Sequence, residues 1–268
     1  MLVILGAGAS SDSGLPTYQN STVKPDTVLN RLTLSRDPAR VWSFLSPLLQ
    51  PVTPGPTYQA LKLYMELTGL YDDQIMVVNQ NVDGLATLYL SGQVMEIHGN
   101  VHRSSCLSCD WFGPTNDLVS KKLDVIDIET QADDMETHLC PKCNRTCRPD
   151  IVLYRETPLC QEAIMKFIKT QITASSEVLV IGTSLQLPYL RVWINKAKQR
   201  GTSVIHLNTD PNYNDQYWEA KPYGRGGKYR SLVGRGERWL KVEDTKGLPW
   251  RPATAIEGLD LLSKARGL

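Results

Sequence analysis

The sequence has almost no excess of either charge. Lys and Arg number 29 against 28 Asp and Glu, a net charge of +1 over 268 residues. That balance excludes a uniformly basic nucleic-acid binder and a charge-driven disordered chain. There is no run of 18 apolar residues, so no ordinary transmembrane helix and no membrane partner are expected. The opening MLVILGAGAS is apolar, but it lacks a basic n-region and is too short for a secretory signal. Internal repeats are absent. The six cysteines do not read as an extracellular disulfide framework in a chain of this length without a signal. An intracellular protein is therefore expected. Its 41% AVILMFWYC content suits one or two globular domains with a sizeable core.

What is present is a recurring strand, polar turn and helix. Met1–Leu5, Ile75–Val78, Val94–Ile97, Val178–Ile181 and Val204–Leu207 are short apolar runs suited to strands buried on both faces. Residues 15–56 hold seven of the 16 prolines and read as a loop with a helical stretch near Pro38–Leu49. Thr57–Gly69 and Tyr189–Arg200 read as helices. This alternation predicts an α/β fold: a Rossmann-like parallel sheet with helices on both faces. Ligands of such sheets bind beyond the carboxyl ends of the strands. Ser10, Gln80, Asn81, Asp83, His98, Ser184 and Asn208 all follow apolar runs in that way.

Residues 101–150 differ in character and are expected to form a small separate module, interrupting a larger domain of residues 1–100 and 151–268. Cys106-x2-Cys109 and Cys140-x2-Cys143 can close a tetrahedral four-thiolate site for Zn2+. Four thiolates leave no open position, so the metal would be structural. The intervening segment is long, and residues 123–138, with six acidic side chains and no Lys or Arg, are expected to loop out. Cys147 and Cys160 are left over. Gly6-x-Gly8 fits a phosphate cradle followed by a helix N-terminus, or simply a tight turn; the third glycine, Gly14, does not complete GxGxxG, and there is no P-loop Lys. His98 sits at a strand end beside a glycine, where imidazole suits a general base or a structural role. His102, His138 and His206 read as structural. Residues 221–241, with seven basic residues and one acidic, read as a solvated loop, and nucleic acid is not expected as a direct ligand.

Taken in order, the motifs resemble the sirtuins, NAD-dependent protein-lysine deacylases. The matching pieces are Gly6-Ala7-Gly8-Ala9-Ser10 with Ser13-Gly14-Leu15-Pro16, Gln80-Asn81-Val82-Asp83-Gly84-Leu85, His98-Gly99, the two CxxC pairs, Arg148-Pro149-Asp150-Ile151-Val152, and Gly182-Thr183-Ser184-Leu185-Gln186. The resemblance covers about residues 1–210 and is weak beyond. It implies a cleft between the Rossmann-like domain and the zinc module, where NAD meets an acylated-lysine protein or peptide. Gly6, Ala7, Gly8 and Ser10 would cradle the NAD phosphates. Tyr18 and Gln19 would sit near the reactive end of the cofactor. Gln80, Asn81 and Asp83 would contact nicotinamide and its ribose. Ser184 and Asn208 would lie on the adenosine side, and Gly182 and Thr183 would also bind the cofactor. His98 would act as general base, with Asn81 and Asp83 also catalytic. The implied products are free lysine, nicotinamide and O-acyl-ADP-ribose, formed through an alkylimidate.

The alternative on the same scaffold is ADP-ribosyl transfer or NAD hydrolysis. A zinc-bearing NAD or nucleic-acid binding module without turnover is a third reading, against which His98, Asn81 and Asp83 together argue. Two departures from the sirtuin pattern bear on activity. Asp-Phe-Arg is common where this chain reads Thr17-Tyr18-Gln19, and Phe-Gly-Glu is common where it reads Tyr154-Arg155-Glu156. Gln offers fewer fixed donors than Arg and no charge. Gln19→Arg is therefore expected to raise the peptide-dependent rate in steady-state kinetics with NAD and acetyl-peptide. A fall, with loss of peptide-independent NAD consumption, would favour the transferase or hydrolase.

Overall fold

The computed structural model describes residues 1–17, 21–122, 136–157, 161–183, 185, 187–208 and 255–267. In chain order these form β1 (Leu2–Leu5), a 3-10 segment (Ala7–Ser13), α1 (Pro25–Val28), α2 (Arg31–Arg36), α3 (Pro38–Leu49), α4 (Pro56–Leu67), β2 (Met76–Asn79), α5 (Leu85–Tyr89) and β3 (Gln93–Glu96). There follow β4 (Gly99–Cys106), β5 (Phe112–Pro114), β6 (Val119–Lys122), β7 (Glu136–Leu139), β8 (Cys147–Ile151), α6 (Gln161–Ala174), β9 (Glu177–Ile181), α7 (Pro188–Gln199), β10 (Ser203–Leu207) and α8 (Ala255–Arg266).

Five strands pair in parallel in the order β10-β9-β1-β2-β3. Alternate residues of each strand point to opposite faces, and over β10, β9, β1 and β2 both faces are covered. Val3, Leu5, Val77, Leu179, Ile181, Ile205 and Leu207 pack with Tyr58, Leu61 and Met65 of α4 and with Leu259 and Leu262 of α8. Leu2, Ile4, Val78, Val178, Val180 and Val204 pack on the other face with Ile168 and Ile172 of α6 and Leu190 and Ile194 of α7. Two-sided burial is why β1, β2, β9 and β10 read as continuous apolar runs rather than alternating ones. The edge strand β3, expected from Val94–Ile97 to be buried on both faces, is only half-buried, because it has one strand neighbour in the sheet.

The helix expected at Pro38–Leu49 is α3, with Asp37 accepting from the Arg40 N–H at 3.1 Å as its N-cap. Two short helices, α1 and α2, lie in the stretch read as loop. α2 is capped by Asn30, which accepts from the Thr33 N–H at 2.9 Å. Short polar segments of this kind carry too little hydrophobic period to be legible.

Strands β4, β5 and β8 form an antiparallel sheet in the order β5-β4-β8, and β6 pairs with β7. Glu136–Leu139, partly inside the acidic segment expected to loop out, is therefore strand; residues 123–135 lie outside the described residues. Helix α3 packs against this part of the chain along two rows. Val41 and Leu45 meet Val101, Ile151 and Leu153, while Trp42 meets Leu118, Cys140 and Cys147.

The β3–β4 corner turns at Gly99, where φ is +81° and a Cβ would overlap the Asp150 carbonyl oxygen across the β4–β8 pairing. An L side chain is excluded there on both counts. Gly99→Ala is expected to cost about 2–4 kcal/mol, read as a lower urea midpoint; an unchanged midpoint would show that the corner can relax.

Candidate active site

From β1 the chain builds outward through β2 to β3, then crosses to β9 and β10 on the other side. The connections reverse direction between β1 and β9, and in open parallel sheets this opens a crevice beyond the strand ends. The residues after each strand meet there: Asn208 after β10, Gly182–Thr183 after β9, Gly6–Ser10 after β1, Gln80–Asp83 after β2 and His98 after β3.

At the reversal, two turns lie backbone to backbone. The Gly6 N–H donates to the Ile181 carbonyl at 3.0 Å and the Gly8 N–H to the Gly182 carbonyl at 2.8 Å. A Cβ on Gly8 would lie 2.8 Å from the Gly182 Cα, and one on Gly182, at φ +63°, would overlap the Ala9 nitrogen. These glycines are thus required by the protein's own backbone, a reason separate from the approach of a pyrophosphate. The segment here is the 3-10 run Ala7–Ser13, lying between the two readings of the sequence, a cradle with a helix N-terminus and a tight turn. Its donors carry little macrodipole, so a phosphate here would rest on individual N–H groups and the open floor of the turn.

Ser10, Asn81 and Asp83 form one buried network. The Ser10 hydroxyl donates to Asp83 Oδ2 at 2.6 Å. It also lies 3.0 Å from Tyr58 Oη and accepts from Asn81 Nδ2 at 3.0 Å. Asn81 Nδ2 also donates to the Gly6 carbonyl at 3.0 Å, tying the β2 turn to the glycine turn. Asp83 Oδ1 accepts from the Leu85 N–H at 3.0 Å. Asp83 is only 6% exposed. Burial raises its pKa, and the bonds from Ser10 and Leu85 oppose that rise. Burial likewise pushes the Tyr58 phenol up to about 12, with Asp83 adding to it, so Tyr58 stays neutral and available as a donor. Tyr58 reads in the sequence as one more apolar position of α4. The usable signal was its hydroxyl, which in a core position demands a partner.

His98 lies in the turn between β3 and β4. Its Nδ1 is 2.7 Å from the Gln80 carbonyl oxygen. A carbonyl can only accept, so Nδ1 carries the proton and Nε2 is left with its lone pair. Burial lowers the His98 pKa, outweighing the Gln80 bond that favours the cation. The ring is therefore held as a neutral base in a fixed tautomer. Gln80 also bridges strands: its Nε2 donates to the Leu5 carbonyl at 3.2 Å and to Thr183 Oγ1 at 3.1 Å. Asn208 Nδ2 donates to the Thr183 carbonyl at 3.3 Å.

Behind His98 stands a set of residues that sequence reasoning passed over. Glu96 Oε1 accepts from Asn100 Nδ2 at 2.7 Å, spanning the His98 turn, and Glu96 Oε2 accepts from Arg103 at 2.9 Å. Asn100 Oδ1 accepts from the His102 N–H, and the His102 ring nitrogen Nε2 lies 3.1 Å from the Asp83 carbonyl. His102 is thus structural, as expected. Tyr18, Gln19, Ser184, Gln186 and Cys160 lie outside the described residues, as does the basic stretch 221–241.

The sulfurs of Cys106, Cys109, Cys140 and Cys143 all lie within 4.8 Å of one another. Cys106 and Cys143 are 3.4 Å apart, and Cys109 and Cys140 3.7 Å. A tetrahedral zinc with bonds of about 2.3 Å requires sulfurs about 3.8 Å apart, so the tetrad fits Zn2+. Cys147 is not part of it. Its carbonyl accepts from Trp42 Nε1 at 3.1 Å, and it fills the core behind the tetrad.

A profile described as the Sir2 family matches residues 6–188. An NAD-dependent protein deacylase of Thermococcus sibiricus is 31% identical over 223 residues, 78% of this chain and 80% of that protein. NAD-dependent protein deacylase 2 of Pyrobaculum aerophilum is 30% identical over 220 residues, 79% of this chain and 80% of its own. Among solved structures, a Sir2–p53 peptide–NAD+ complex superposes with a TM-score of 0.65 at 22% identity, over 99% of this chain and 92% of that one, which speaks to the fold.

Cys140→Ala is expected to lower the bound zinc to well below one equivalent and to lower the melting temperature, since metal binding and folding of such modules are coupled. Trp42, which packs against the tetrad, should report the change by fluorescence. One full equivalent of tightly held zinc in that variant would refute the ligand set.

Proposed function

The chain belongs to the Sir2 family, and from that premise we propose that it is an NAD-dependent protein-lysine deacylase acting on acylated-lysine proteins or peptides. When bound, NAD supplies the ADP-ribose that accepts the acyl group and releases nicotinamide. The observation that carries the reading is a neutral imidazole, fixed in one tautomer, at the end of the same row of strands as a buried Asn–Ser–carboxylate network.

In this reading Gly6, Ala7, Gly8 and Ser10 receive the phosphates, and their place beyond the end of β1, at the reversal of the strand order, supports that assignment. Gly182, Thr183, Ser184 and Asn208 serve the adenosine side, and Gln80, Asn81 and Asp83 the nicotinamide ribose. Asp83 holds Ser10 and through it Asn81, which fixes the polar floor on which the reacting groups are oriented. His98 takes a hydroxyl proton at Nε2. The positive charge then spreads to Nδ1, where the Gln80 carbonyl stabilises it. Cys106, Cys109, Cys140 and Cys143 hold structural Zn2+. We place the zinc module at residues 101–150 and the NAD-binding domain at 1–100 and 151–268; α3 packs on the module from the larger part. No helix of the described residues is long and apolar enough to cross a membrane. We propose an intracellular setting, supported by a four-thiolate site that needs reducing conditions.

Incubation with NAD and an acetylated peptide, followed by mass spectrometry, tests the reading. O-acyl-ADP-ribose is expected; ADP-ribosylated protein or free ADP-ribose alone would point to transfer or hydrolysis. His98→Ala is expected to reduce deacylation at least a hundredfold with NAD affinity largely kept. Because burial lowers the His98 pKa from its ordinary 6.5, the base is lost only as pH falls below that value. The acid limb of kcat/KM should therefore have its midpoint below 6.5. A midpoint above it, or near-normal turnover by the alanine variant, would remove His98 from the role.

A further inference from the structure

Leu153 to Glu156 form a tight turn that is closed twice. The Glu156 N–H donates to the Leu153 carbonyl at 2.9 Å, and the Glu156 carboxylate accepts from the Leu153 N–H at 3.0 Å. Arg148 grips the same carboxylate with two N–H groups at 2.9 and 2.7 Å, and Arg31 approaches it at 3.4 Å. The turn is also fastened along its N-terminal half. The Val152 N–H donates to the His98 carbonyl at 2.9 Å, and the Tyr154 N–H to the Leu29 carbonyl at 2.8 Å. The segment is therefore a rigid edge immediately beside the base.

The third residue of this turn is Arg155, at φ +67°. That position favours Gly or Asn, because a Cβ crowds the backbone there. Three non-glycine residues among those described have positive φ. Asn144 is of a type that tolerates it, and Leu185 is buried and gains from packing. Arg155 is exposed and forms no ion pair among the described residues, so nothing among those residues offsets its strain. Strain of this kind points from the outlier towards a function. The local charge points the same way: Arg31 and Arg148 already share one carboxylate, that of Glu156, and Arg155, the residue before it, adds a further positive charge to this turn.

We propose that Arg155 is a specificity-determining residue that selects substrates carrying a carboxylate close to the acyl-lysine. The carboxylate can belong to an acidic residue flanking that lysine or to an acid-terminated acyl chain, and both offer the same partner to a guanidinium. The inference rests on the deacylase reading of the same site.

The test compares the wild type, Arg155→Gly and Arg155→Lys on three peptides with NAD. One carries acetyl-lysine with neutral flanks, one acetyl-lysine flanked by Asp and Glu, and one succinyl-lysine with neutral flanks. Glycine is at home at this φ, so the Gly variant should fold at least as well, which a melting curve checks. The kcat/KM of an acidic substrate relative to the neutral one is expected to fall about two- to fivefold in Arg155→Gly, the scale of a solvent-exposed ion pair. Arg155→Lys should retain most of the preference, and added salt should shrink it. Loss of preference for the acidic flanks assigns the carboxylate to the peptide; loss for succinyl-lysine assigns it to the acyl chain. Unchanged ratios for both in Arg155→Gly would overturn the proposal. Should the wild type turn over no peptide at all, the deacylase reading itself falls.

Discussion

The contact on which the site depends is the approach of two backbones, Gly6–Gly8 after β1 and Gly182 after β9, with no side chain between them. Parallel pairing brings strands to about 4.8 Å, but beyond the strand ends the chains must diverge into their crossover connections. Here they stay in contact for two further hydrogen bonds before separating. That contact fixes where Ser10 begins and hence where the Asn81 and Asp83 side chains can converge. The Asn81 amide bonds Gly6 and Ser10 together, so the turn after β2 is indexed to the turn after β1 rather than merely lying near it.

The network obtained in this way is costly in isolation. A buried carboxylate loses hydration, which raises the pKa of Asp83. Its two oxygens accept from a backbone N–H and a hydroxyl, and the phenol of Tyr58 completes the hydroxyl's surroundings. A fully connected polar cluster of this kind is rigid, whereas a half-connected one would be a defect. His98 follows the same economy: one nitrogen is committed to a backbone carbonyl so that the other is defined. Orientation, more than charge, is what this site stores.

Much of this was legible in the chain. Strands β1, β2, β9 and β10 were visible because two-sided burial writes an unbroken apolar run, and the tetrad because thiols at CxxC spacing have few other uses. The positions of Asn81, Asp83 and His98 followed from their places after such runs. Tyr58 was hidden because an aromatic at a helical period looks like core, and its hydroxyl acquires meaning only when Ser10, 48 residues away in sequence, is brought beside it. Glu96, Asn100 and Arg103 were hidden for a similar reason: a polar bridge across a turn has no sequence period. Arg155 was visible as a departure from a pattern, but its strained backbone could be read only from the turn.

The cysteine tetrad and His98, the metal site and the base of the proposed function, are joined by a single pair of strands. β4 and β8 pair from Cys106 with Cys147 at one end to Gly99 with Ile151 at the other. The first pair joins the tetrad, through Cys106, to the core behind it, through Cys147, and the second adjoins His98 and the turn that carries Arg155. Trp42 and Val41, successive residues of α3, press on the two ends of this ribbon. A four-thiolate ion would have no open position for chemistry, yet it would lie on the pair of strands that ends beside His98. In the proposed function its contribution is therefore mechanical: it would anchor the far end of a ribbon whose near end is the Gly99 corner, where a Cβ would overlap the Asp150 carbonyl.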